Sequence, residues 1–75
     1  MSPIPEDSFL HGQEYLGFTH GARRWRSPDG DRLYEWDDLH EHVEGYNTRG
    51  VHVGVFDAVT GIKISDPVKG RKIDV

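Results

Sequence analysis

No cysteine occurs among the 75 residues, which excludes a disulfide framework, cysteine-ligated zinc and a thiol nucleophile, and suits the chain to a reducing compartment. Long apolar runs are missing too. No stretch approaches the roughly 18 apolar residues of a membrane span. The opening MSPIPEDSF has neither a basic n-region nor an apolar core, so no export signal and no membrane partner are expected. Positive charge is also in deficit: nine Lys and Arg against 13 Asp and Glu leave a formal net of −4, which argues against indiscriminate binding to nucleic acid.

What is present is unevenly placed. Eight aromatic residues give a small chain the means to anchor a core, although a domain of this size hides only about 60% of its unfolded surface. Residues 29–44 hold seven acids (Asp29, Asp31, Glu35, Asp37, Asp38, Glu41 and Glu44) against Arg32 alone. On either side lie "RRWR", with Arg23, Arg24 and Arg26, and "KGRK", with Lys69, Arg71 and Lys72. An acidic centre between two basic clamps is the pattern of a site that both titrates and grips an anion.

Residues 1–22 contain Pro3, Pro5, Gly12, Gly17 and Gly21 and read as an irregular arm, with one helical turn after Asp7 or Ser8 as N-cap. Residues 23–75 form the rest of one domain. "SPDGD", "NTRG" and "DAVTG" are turns by their chemistry. "RLYEW", "VHVGVF" and "IKI" between them read as short strands, with Val51, Val53 and Val55 on one face. The expectation is a twisted antiparallel sheet of four or five strands. Asp37 to Glu44 reads as strand, which puts His40, His42 and Glu44 on one side; a helix would keep His40 and Glu44 together as well.

Three readings fit "YEWDDLHEHVEGY". The first is a solvated charged face. The second is a metal site built from His40, His42 and Glu44 with Asp37 as a fourth ligand. The third is metal-free cleavage of RNA, where the substrate's own 2′-hydroxyl attacks the neighbouring phosphate and the protein supplies a base, an acid and positive charge. Carboxylates around His40 favour its imidazolium form, as an acid for the leaving 5′-oxygen requires. Glu44 is placed to take the 2′-hydroxyl proton, and Arg71 answers the phosphorane charge if the tail folds back.

Residues 23–73 resemble the C-terminal cytotoxic domain of the ribosome-inactivating ribonuclease colicins of the E-three type, and related polymorphic bacterial toxins. The resemblance rests on "RW" followed by a Gly turn, "YEWD", His40, Glu44, "GY", the "G.H.G.FD..TG" run from Gly50 to Gly61, and Arg71. It implies an α+β domain, a short N-terminal helix packed on a strongly twisted antiparallel sheet, that cleaves small-subunit ribosomal RNA at the decoding site without a cofactor or metal. It also implies an active site of Asp37, His40, Glu44 and Arg71, with Glu44 as base and His40 as acid.

The ribosome and an immunity protein are the partners the resemblance implies. The expected site of action is the cytoplasm of a target cell, reached as part of a larger secreted toxin. Arg23, Arg24, Arg26, Tyr34, His42, Tyr46, Lys69 and Lys72 are the expected substrate contacts. Trp25 and Trp36 are expected in the core, and His11, His20 and His52 at the surface or in turns. Three features depart from the family: His42 replaces a carboxylate, Glu41 replaces glycine, and the basic arm is missing. The acidic balance and the His42 substitution support the alternative of a non-catalytic RNA-binding or interaction module on the same fold.

Overall fold

In the computed structural model, residues 3–75 are described. Turn chemistry divides them into strands. In "SPDGD" the Gly30 N–H donates to the Ser27 carbonyl at 2.9 Å, while Asp29 Oδ1 accepts from the Ser27 hydroxyl and the Asp31 N–H. Asn47 Oδ1 accepts from the N–H groups of Arg49 and Val51, and Asp57 Oδ2 from those of Val59 and Thr60. Each side chain stands in for a backbone acceptor and closes its hairpin.

The strands between the turns are β1 (Glu14–Thr19), β2 (Ala22–Arg26), β3 (Arg32–Asp37), β4 (His42–Asn47), β5 (His52–Phe56) and β6 (Lys63–Ser65). They form one sheet in sequence order, every neighbouring pair antiparallel. This overturns the α+β expectation. Among the described residues the helical structure is one 3-10 turn, Phe9–Gly12, capped by Ser8, whose Oγ accepts the Leu10 N–H at 3.1 Å. A single turn of that kind is where the expected helix ends.

The sheet has six strands, not four or five, because part of the arm read as irregular is β1. Gly17 hid that strand: it sits at a bulge between Tyr15 and Gly17 with φ of 100°, which breaks the two-residue alternation. The β1–β2 hairpin closes through His20 and Gly21, with φ of 50° and 83°, as a two-residue turn of matching twist requires.

Pairing register sorts the side chains onto two faces. Trp25 lies opposite Tyr34, Trp36 opposite Val43, and Val43 opposite Phe56; with Leu10 and Ala58, all but the half-buried Tyr34 form the buried core. Phe9, Ile4 and Tyr34 pack against it, the Tyr34 ring lying edge-on to Phe9 and Phe56 at 5.1 and 5.8 Å. The Phe56 ring covers Gly45 so closely that a Cβ there would run into it. Across the other face runs a row in which Arg24 pairs with Glu35, Glu35 with Glu44 and Glu44 with Val55. That face carries the titratable cluster.

Candidate active site

The cluster starts where β3 ends. Asp37 pairs across the sheet with His42, and residues 38–41 form a turn rather than the continued strand that the sequence suggested. Asp37 Oδ1 accepts the N–H groups of Leu39 and His40 at 3.0 and 3.1 Å, and the Glu41 N–H reaches the Asp37 carbonyl at 2.8 Å. The turn forces Glu41 into a left-handed conformation, φ 57°. It also folds His40 back onto Asp37, Nδ1 to Oδ2 at 2.9 Å, so the ring's Nε2 is left for solvent or substrate. His40 therefore joins the site through a tight turn, with its side chain 62% exposed.

His42 opens β4 with its Nε2 between two carboxylates, 3.3 Å from Asp37 Oδ2 and 3.0 Å from Glu44 Oε2. Glu44 itself is only 6% exposed, and its other oxygen, Oε1, meets Arg71 Nη1 at 2.9 Å and His52 Nε2 at 2.8 Å. A buried carboxylate needs hydrogen-bond donors around it, and here His42, His52 and Arg71 supply them.

His52 was expected at the surface, yet it is 3% exposed. A register shift in the β4–β5 pairing explains this. Gly45 pairs with Gly54 but Tyr46 pairs with His52, so one extra residue in β5 turns His52 onto the face of Glu44. The same shift breaks up the expected row of valines. Val53 packs against the core and Val55 lies opposite Glu44. The regular spacing of "VHVGVF" carries no mark of the bulge beyond Gly54, whose φ of 148° no bulkier residue favours.

The protonation of His52 follows from its second nitrogen. Nδ1 accepts the backbone N–H of Val68 at 2.8 Å, so the ring is a neutral imidazole with its proton on Nε2, donated to Glu44. That bond and others hold the tail against the sheet. The Arg71 carbonyl accepts the His52 N–H at 3.0 Å, the Gly50 carbonyl accepts the Ile73 N–H at 2.9 Å, and Val51 bridges to Lys72. The tail thus delivers Arg71, 27 residues on in sequence, to Glu44.

Electrostatics separate the groups. Burial works against the Asp37 carboxylate, but bonds from the His40 ring and N–H, with the charges of His40 and His42, outweigh it and hold its pKa below the usual value. Burial pushes the Tyr46 hydroxyl up to about 12; Arg71 opposes this, as does Arg24, and Glu35 and Glu44 add to it. Glu35 is neutralised by Arg24, whose Nε and Nη2 donate to its Oε2 at 3.0 and 2.8 Å.

The structure brings Asp37, His40, His42, Glu44 and Arg71 together. It puts several expected substrate contacts elsewhere. Arg24 is buried between Glu35 and the Asp74 carbonyl, and Arg26 pairs with Glu14 at 2.8 Å on the open surface. Arg23 shares the face of Trp25, and Tyr34 packs on the core side, both away from Glu44. Tyr46 stays on the site face with its ring 5.2 Å from that of His52. Lys69 and Lys72 are exposed along the tail. Trp25 and Trp36 are buried, as expected. As for metals, Asp37, His40 and His42 present ligand atoms that all lie within 4.8 Å of one another.

The chain is also similar in sequence to known proteins. The chain is 40% identical to Colicin E3 of Escherichia coli over 52 residues, 68% of its length. It is 39% identical over 51 residues, 67% of its length, both to Colicin-E6 and to Cloacin of the same organism. It spans only 9% of the length of each of these relatives. Residues 17–74, which include every group of the cluster, match the Cytotoxic family, and the chain belongs to that family, the colicin-type cytotoxic domain.

Proposed function

We propose that the chain is an endoribonuclease toxin that cuts small-subunit ribosomal RNA at the decoding site and so stops translation. Glu44 takes the proton of a 2′-hydroxyl, the freed 2′-oxygen attacks the adjacent phosphorus, and His40 gives its Nε2 proton to the departing 5′-oxygen. The bond to the 5′-oxygen breaks as the new P–O bond forms. The products are a 2′,3′-cyclic phosphate and a 5′-hydroxyl. Since the nucleophile belongs to the substrate, the protein needs no metal to generate one.

One observation carries this reading: the Asp37–His40 pair and the Glu44–Arg71 pair share one rim, 2.9 Å within each, joined through His42. Asp37 holds the His40 ring by Nδ1, which leaves Nε2 facing outward. Arg71, its side chain 46% exposed, offers spare N–H donors to the phosphorane oxygens. His52 and Arg71 steady the base from behind.

Ribosome specificity rests on shape more than on charge, because the formal net of −4 gives little general pull on RNA. The share of the relatives covered by this chain supports a domain delivered by a longer toxin into the cytoplasm of a target cell, with an immunity protein protecting the producer. The test is to incubate the chain with bacterial ribosomes in chelator, map the 3′ region of the small-subunit RNA and analyse the new ends. A single cut bearing a 2′,3′-cyclic phosphate is the expected result. Uncut RNA from folded protein would favour the non-catalytic module.

A further inference from the structure

The cleavage steps give His42 no role beyond joining the two pairs. Its Nε2 faces two carboxylates, and its ring stacks on that of His40, 5.3 Å between centroids and 20° between planes. The stacking brings two ring nitrogens towards one Asp37 oxygen. His40 Nδ1 is 2.9 Å from Oδ2 and His42 Nε2 is 3.3 Å from it.

Those separations suit a metal. In a tetrahedral zinc site, with Zn–N of about 2.0–2.1 Å, neighbouring ligand atoms lie roughly 3.3 Å apart. The two imidazole nitrogens lie within 4.8 Å of each other, so coordination requires the exposed His40 side chain to swing towards His42. Two imidazoles with one carboxylate select a borderline cation over Mg²⁺ or Ca²⁺, which take oxygen ligands.

We propose that Asp37, His40 and His42 bind one divalent cation of the Zn²⁺ class, and that the bound ion switches the ribonuclease off. The switch rests on the cleavage reading given above; the ion site does not. Binding releases the ring protons at His40 Nδ1 and His42 Nε2 to solvent, the ion takes their place, and each ring holds one proton on its other nitrogen. His40 is then a neutral, metal-held ring instead of an imidazolium with a proton to give. A water completes the coordination on the open side. Glu44 keeps His52 and Arg71, so the fold is undisturbed.

Zinc chloride titrated into the whole chain by calorimetry, with histidine ring signals followed by NMR, tests the site. One ion per chain with micromolar affinity is expected, moving the signals of His40 and His42 and leaving those of His11 and His20. His42→Ala weakens binding by at least about tenfold, His20→Ala does not, and circular dichroism confirms that both fold. No saturable binding, or equal affinity in His42→Ala, overturns the site. On ribosomes, saturating zinc suppresses cleavage by at least about tenfold and EDTA restores it; undiminished cleavage by the zinc-loaded protein overturns the switch. No cleavage even in chelator counts against the ribonuclease reading and with it the switch, while the titration decides the ion site by itself.

Discussion

His52 and Glu44 meet through a proton whose position is fixed from the far side of the ring: Nδ1 accepts the Val68 N–H, so Nε2–H must point at Glu44 Oε1, 2.8 Å away. Tail, sheet and Glu44 are thereby one unit. His52→Ala leaves the buried Glu44 short of a donor and the Val68 N–H without its acceptor, a loss of about 1–3 kcal/mol. Urea unfolding reads that loss, and cleavage by the variant that remains folded falls as Glu44 and Arg71 lose their mutual placement.

Arg24 and Arg26 look alike in "RRWR" and should behave oppositely. The Arg24–Glu35 pair is buried, its side chains 8% and 13% exposed, and Arg24 also holds the Asp74 carbonyl. Arg24→Ala strands a buried carboxylate and costs about 3–5 kcal/mol, enough to unfold much of so small a domain. Arg26→Ala breaks an exposed pair and changes stability by about 0.5 kcal/mol or less. Parallel denaturation curves distinguish the two.

Glu41 adopts φ of 57° in the turn that carries His40. Left-handed backbone costs a residue with a Cβ about 1–2 kcal/mol, and glycine removes that strain while adding chain entropy to the unfolded state. Glu41→Gly is expected to gain about 1 kcal/mol net, seen as a rise of roughly 4–8 °C in Tm by calorimetry.

Tyr46 makes stability fall at high pH. Its folded pKa, about 12, lies above the unfolded value of 10, so between those values the folded state holds the extra proton. Stability is complete below pH 10 and is lost as pH rises through 12, by on the order of 1–2 kcal/mol after solvent screening. Urea midpoints measured from pH 9 to 12 should show the decline in the native chain and a shallower one in Tyr46→Phe.

The turns and hairpins were legible in the sequence because Asp, Asn, Ser and Gly act locally, and Asp29, Asn47 and Asp57 each bond backbone within four residues. The convergence of Asp37, His40 and Glu44 was legible for the same reason. Arg71 was not, since only the folded tail shows that it arrives. The bulge of β5 hid His52, because one extra residue reverses which side chains face the site without altering composition. β1 was hidden by Gly17, and the burial of Arg24 by a partner 11 residues away. In each case a distant contact overrode a local pattern.

In the proposed reaction Glu44 and His40 together perform the cleavage. Its most direct test is the single-turnover rate on intact ribosomes in chelator for the native chain, Glu44→Gln, His40→Ala and Arg26→Ala, with folding checked for each. A loss of at least about 10²-fold is expected for each of the first two variants, with a near-native rate for Arg26→Ala. A folded Glu44→Gln or His40→Ala that cuts as fast as the native chain would contradict it.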